Sequence, residues 1–107
     1  MNASLEDFKK LDIRIGKIIS AEPIEGSEKL LKLQVDFGEF TRQIFSGIAK
    51  FYTPEELTGK ECPFIVNLEP REIMGLESQG MLMAADVDGK AVLLHPDKEV
   101  PEGSRVI

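Results

Sequence analysis

The densest concentration of chemically useful side chains lies between Asn67 and Ala85, in the stretch NLEPREIMGLESQGMLMAA. An apolar run ends at Asn67. A proline, Arg71, an Ile-Met-Gly turn and the hexapeptide Glu77-Ser-Gln-Gly-Met-Leu follow. Ser78, Gln79 and Gly80 set small polar groups and an open backbone beside the soft apolar side chains of Met81 and Met83. Such a mixture can hydrogen-bond and pack a flat base at one spot. The plainer reading is a turn feeding a buried strand, and the stretch alone fits both.

Other chemistries find little footing. There is no Walker loop, no GxGxxG and no paired cysteine motif. His95 is the single histidine and stands beside a proline in a turn, a poor start for a metal site. Ser46, Ser78 and Ser104 lack the context of a nucleophile elbow. Nineteen carboxylates are present, but nothing pairs them specifically. The chain is therefore expected to be non-catalytic by itself, with no cofactor and no metal.

A length of 107 residues predicts one domain with one core. With 42% hydrophobic and 30% charged residues, the composition is that of an ordinary globular protein. The first residues carry no basic and apolar leader, and no apolar run approaches the roughly 18 residues of a membrane span. The lone Cys62 sits in an apolar run and predicts a buried thiol in a reducing compartment, hence the cytoplasm. The net charge of -6 argues against a nucleic-acid binder when taken whole. A local patch decides backbone contacts, however, so the placement of the 13 basic residues matters more than the sum.

The elements that must position these groups follow from pattern. Ser4 caps a short helix whose Leu5, Phe8 and Leu11 are expected to face the core, with Lys9 and Lys10 on a solvated face. Asp12 to Ala21 is a long strand with a bulge or coil expected at Gly16. Leu31 to Phe37 alternates cleanly, Gly38-Glu39 turns, and Phe40 to Phe45 returns as the third strand. Lys32 and Arg42 are expected on one open face of this hairpin. Thr53, Pro54 and Glu56 form a capping box for a short helical connection. Phe51 and Tyr52 before it are expected to plug the bottom of the barrel. Glu61 to Asn67 is strand four, with Pro63 marking an edge. Gly80 to Ala85 is strand five, and Asp88-Gly89 turns into one further strand at 91–94.

Five strands with a helical connection between the third and fourth predict an all-β, five-stranded OB-fold Greek-key barrel over about 12–85. A C-terminal extension, about 86–107, is apolar enough to need cover, which suggests a symmetric dimer.

Several ordered segments carry a resemblance: Asp12-Ile-Arg-Ile-Gly-Lys, Glu25-Gly-Ser-Glu-Lys-Leu, Phe45-Ser-Gly-Ile-Ala, Tyr52-Thr-Pro-Glu-Glu-Leu-Thr-Gly-Lys, Asn67-Leu-Glu-Pro-Arg and Glu77-Ser-Gln-Gly-Met-Leu-Met-Ala-Ala. Together they resemble the tRNA-binding OB domain of the methionyl-tRNA synthetase C-terminal domain and beta subunit. The family also includes free-standing tRNA-binding proteins and a secretion chaperone. The match runs from about Phe8 to the end, and the 25–29 loop is most similar to the synthetase branch. The resemblance implies a homodimer that binds tRNA by shape near its elbow and adds affinity to a methionyl-tRNA synthetase catalytic body in cis or in trans. Carried over by position, the binding face would hold Lys29, Asn67, Arg71, Ser78 and Met81, to which geometry adds Lys32 and Arg42. Glu28, Glu69, Glu72 and Glu77 flank it and should make binding weak and salt-sensitive. Two alternatives remain open: a dimeric peptide-binding chaperone of the same family, and a free-standing general tRNA-binding protein. A generic single-strand binder is disfavoured by 7% aromatic content without tryptophan.

Overall fold

A computed structural model describes residues 1–107. Ser4 opens α1 (Leu5–Lys9), its hydroxyl accepting from the Asp7 N–H at 3.1 Å, with Glu6 and Asp7 in the first turn. The apolar face of α1 does not meet the core as its spacing suggested. Leu5, Phe8 and Leu11 are all exposed and line a groove of about 500 Å³ with Val106 and Ile107. The chain's own C-terminus explains this. Residues 103–106 lie along the start of the first strand, through Gly103 N–H to Ile15 O, Ser104 O from Ile15 N–H, and Val106 N–H to Ile13 O, each at 2.8 Å.

β1 (Ile13–Pro23) is long enough to serve two neighbours. Its first half pairs with the fourth strand and its second half with β2 (Leu31–Asp36), across a bulge between Ile18 and Ser20. The irregularity thus falls beyond Gly16, which has another task. A Cβ there would lie 2.5 Å from Val35 and 2.6 Å from the Phe37 ring, so Gly16 lets the core close over β1. Alternation along β2 buries Leu31, Leu33 and Val35 and leaves Lys32, Gln34 and Asp36 outside. β3 (Thr41–Ser46) returns in register, Leu31 opposite Ser46 and Asp36 opposite Thr41.

α2 (Pro54–Leu57) forms the full capping box: Thr53 Oγ1 accepts from Glu56 N–H, and Glu56 accepts from Thr53 N–H. Of the two aromatics before it, Tyr52 packs against the core and its hydroxyl accepts from Leu93 N–H, whereas Phe51 turns outward. β4 (Glu61–Ile65) lies inside the sheet rather than at an edge. Pro63 is tolerated there because it sits just outside the two paired residues of the next strand. Its carbonyl accepts from Met83 N–H.

The segment after β4 is more finely divided than its sequence suggested. β5 (Arg71–Ile73) and β6 (Leu76–Ser78) form a hairpin whose two turn residues, Met74 and Gly75, have φ of +51° and +79°. The expected fifth strand splits into β7 (Met81–Leu82) and β8 (Ala84–Val87), and β8 turns at Asp88-Gly89 into β9 (Lys90–Leu93) as predicted.

The main sheet runs β3-β2-β1-β4-β7. It closes on itself where Gln79 N–H donates to Gln43 O at 2.8 Å, giving a nearly closed, antiparallel OB-like barrel. Ile18, Leu33, Val35, Phe37, Ile44, Leu57, Phe64 and Leu82 fill it, with Phe37 edge-on to Phe64 at 5.5 Å. Cys62 is buried among them as a free thiol, pushed up to about 11 chiefly by burial. No helix is long and apolar enough to cross a membrane.

Candidate nucleic-acid interface

The β5–β6 hairpin stands at the closing seam of the barrel. Leu68, Glu69, Arg71, Ser78, Gly80 and Met81 line an open groove of about 410 Å³ beside it. Arg71 also faces a second groove of about 310 Å³ with Glu72 and Glu77. Its side chain forms no ion pair within 4.0 Å. Met81 and Leu68 are exposed beside it, and Met74 and Leu76 are exposed at the hairpin tip. Cation, soft apolar floor and open backbone therefore do come together here.

The other expected residues are placed differently. Ser78 is only 2% exposed, and its hydroxyl accepts from Phe45 N–H at 3.1 Å while donating to Gly80 O at 3.3 Å. Asn67 accepts from Asp12 N–H at 2.7 Å and donates to Lys10 O at 2.6 Å, so it fastens the chain entering β1 to the end of β4. Arg42 Nη1 donates to Val66 O at 2.9 Å and Gln79 O at 3.1 Å, and its guanidinium lies 4.6 Å from the Phe40 ring centre. These three side chains spend their polar atoms inside the molecule and hold the groove's walls in place.

Register separates Lys32 from Arg42. Lys32 stands opposite Phe45 and Arg42 opposite Val35, so they lie on opposite faces of the sheet, not on one open face. Lys32 Nζ instead sits 3.5 Å from Glu22 on β1. Lys29 belongs to the 24–30 loop, whose Ser27 hydroxyl accepts from the N–H of both Lys29 and Leu30. That loop approaches the hairpin tip: a Cβ on Gly26 would lie 3.3 Å from Met74 Cε. Lys29 forms no ion pair and remains exposed on that side.

Sequence reasoning singled out Gln79 but missed its partner, Gln43. Gln43 N–H donates to Gln79 Oε1 at 3.1 Å, and Gln43 Nε2 donates to Glu77 O at 3.1 Å. Gln43 stands in an alternating strand like any outward polar residue, so nothing in its local pattern announces the role. Gly80 is needed on two counts. Its φ is +153°, and a Cβ would lie 2.9 Å from Ile65 O and 3.0 Å from Ile44 Cδ1.

A family model described as a putative tRNA binding domain matches residues 13–105. The chain belongs to that family. Among relatives of this tRNA-binding-domain chain, the methionine–tRNA ligase of Archaeoglobus fulgidus is 58% identical over 103 residues, covering 96% of the chain and 16% of the ligase. That of Methanothrix thermoacetophila is 59% identical over 98 residues, covering 92% and 14%. The chain thus spans about one-sixth of the length of these ligases. Of solved structures, a MetRS-related protein from Pyrococcus horikoshii superposes with a TM-score of 0.95 at 44% identity, covering 100% of this chain and 99% of that one. The chaperone CsaA from Bacillus anthracis superposes at 0.90 with 34% identity, over the whole of both chains. Both the synthetase-related and the chaperone members therefore share the whole outline of this tRNA-binding-domain fold. No group of three or more His, Cys, Asp or Glu side chains gathers to hold a metal ion.

Proposed function

We propose that the chain is a non-catalytic, shape-dependent tRNA-binding domain that raises the tRNA affinity of a methionyl-tRNA synthetase, as its C-terminal domain or as a beta subunit. The observation that carries this reading is Arg71. It is a cation without a carboxylate partner, at the junction of two grooves and beside the exposed Met81. A guanidinium in that position meets a phosphate, and the thioether lies against a sugar or base. Lys29 adds a second phosphate contact from the neighbouring loop, and Lys32 adds a third when Glu22 releases it. Asn67, Ser78 and Arg42 serve by fixing the backbone that presents these groups. Glu69, Glu72 and Glu77 line the same grooves and keep the affinity modest, while the few cation–phosphate contacts set the salt dependence.

The working unit is a homodimer in the cytoplasm. Support for the dimer comes from the exposed apolar face of Leu5, Phe8, Leu11, Val106 and Ile107, which a second copy would cover. Support for the compartment comes from a free, buried thiol. The likeness to the chaperone CsaA and the exposed apolar hairpin tip favour one second reading, a dimer that binds extended peptides.

Titration against folded tRNA, an unfolded RNA of equal length and an unfolded polypeptide, at two salt concentrations, separates the readings. Preference for folded tRNA that fades with salt is the expected result. Polypeptide binding with indifference to tRNA would replace it with the chaperone reading.

A further inference from the structure

At the far end of β4 from the Arg71 groove lies a second cavity, of about 530 Å³, with no hydrophobic side chain in its lining. Lys17, Lys60, Lys98 and His95 face it, together with Glu61 and Glu99. Three lysines lining one cavity are unexpected in a chain of net charge -6. They are also weakly matched. Lys17 has only Glu102, at 4.0 Å; Lys60 lies 5.7 Å from the Tyr52 ring centre; Lys98 has no ion pair. Glu61 forms no ion pair with any of them within 4.0 Å. Its Oε1 accepts from Val100 N–H at 3.1 Å, and its Oε2 is buried without a hydrogen-bond partner.

These features select a ligand. The apolar surface of this cavity comes from Pro96 and the lysine stems, with no Leu, Ile, Val, Met or Phe to seat an apolar peptide side chain. Three ammonium groups are point charges suited to a phosphate, whose oxygens can meet each of them. The exposed carboxylate of Glu99 beside them repels a bare anion and calls for a donor on the same ligand, such as a hydroxyl. A phosphate with adjacent hydroxyls satisfies both requirements. We propose that this cavity binds one ribose-phosphate unit of RNA, the phosphate on Lys17, Lys60 and Lys98 and a sugar hydroxyl toward Glu99. The inference rests on the RNA-binding reading above and adds a second contact region to it. From Glu61 to Ile65 the strand alone rises about 13 Å, so an RNA that reaches both sites covers more than one nucleotide. Such a contact fixes the position of the RNA and carries no sequence information.

His95 supplies a built-in reporter. It is the only histidine, and its Nδ1 donates to Glu61 O at 2.7 Å, so its ring is held in the cavity wall. The experiment follows its ring proton signal by NMR during additions of inorganic phosphate, ribose 5-phosphate and folded tRNA, in wild type and in K60Q/K98Q. It is paired with tRNA titrations of both proteins and of Arg71→Ala across salt concentrations.

The expected result is that ribose 5-phosphate and tRNA move the signal in wild type only. K60Q/K98Q should bind tRNA roughly tenfold more weakly, with a log–log salt slope smaller by about 1.5. Lys98→Gln alone, on an exposed turn, should show about half of that slope change and stands in if the double variant does not fold. The proposal is overturned if Arg71→Ala weakens tRNA binding while K60Q/K98Q keeps the wild-type affinity and slope. It is overturned equally if inorganic phosphate moves His95 as far as ribose 5-phosphate does, or if an acidic peptide displaces tRNA through the same lysines. Failure of wild type to bind tRNA at all would instead sink the RNA-binding reading, and this proposal with it.

Discussion

The Ser78 hydroxyl accepts the Phe45 N–H at 3.1 Å and so joins β3 to the turn that closes the barrel. Backbone ladders do not span this seam by themselves. Side chains complete it: Ser78 on Phe45, Gln79 on Gln43, and Arg42 on Val66 and Gln79. Ser78→Ala would leave the Phe45 N–H buried without a partner, at about 1–3 kcal/mol. Denaturant unfolding should show that loss, and tRNA affinity should fall with it. A variant with wild-type stability and impaired binding would make Ser78 a direct contact instead.

Arg71→Ala should behave in the opposite way. The side chain is exposed and holds nothing within the fold, so the unfolding midpoint should stay within about 0.5 kcal/mol of wild type. Binding to tRNA should weaken, and the salt slope should drop by about 0.8, the signature of one lost phosphate contact. An unchanged slope would move the site away from the hairpin.

Gly16→Ala tests the close approach of β1 to the core. The new methyl would meet Val35 at 2.5 Å and Phe37 at 2.6 Å. Overpacking of this kind should destabilise the chain by about 1–3 kcal/mol, read as a lower denaturation midpoint. No change would mean that β1 shifts more easily than its pairing on both sides suggests.

Acid should loosen the α2 connection. Hydrogen bonds from Thr53, backbone first and then side chain, hold the Glu56 carboxyl below its usual 4.5. A lowered folded-state value means that the stabilisation is present above the unfolded value and is lost as pH falls through the folded one. Wild type should therefore lose more thermal stability between neutral and acidic pH than Glu56→Gln, whose amide does not titrate. Parallel curves would remove Glu56 from the acid response.

Phe8→Glu tests the proposed dimer. A charge on the face shared with Leu5, Leu11, Val106 and Ile107 should yield monomers by sedimentation, with tRNA bound more weakly per chain. The residue is exposed, so the barrel itself should keep its midpoint. A variant that remains dimeric would place the interface elsewhere, and the exposed Val87 and Val92 of the β8–β9 hairpin would be next.

Local pattern made the barrel legible. Alternation in LKLQVDF, the capping box at Thr53 and the Asp88-Gly89 turn each fixed an element where it was expected. The Ile-Met-Gly turn was legible, but the hairpin built on it was not, because β5 and β6 are only three residues each, too short to show an alternating pattern. α1 misled because apolar spacing marks a face without saying what meets it: Leu5, Phe8 and Leu11 stay exposed in a groove with Val106 and Ile107 instead of entering the core. In the candidate site, residue types were readable but their engagements were not. Asn67 is committed to Asp12, 55 positions away, and Arg42 to Gln79, 37 positions away. Side-chain bonds of that reach leave no periodic trace in sequence.

A barrel sealed by side chains has a zipper whose teeth can part without breaking a long backbone ladder. The grooves around Arg71 lie on that zipper. Any ligand seated there braces both sides of the seam at once, so occupancy and closure become a single equilibrium. The amides of Phe45, Gln43 and Gln79 are the fasteners, and slowing of their exchange with solvent would register a bound partner even when that partner touches none of them.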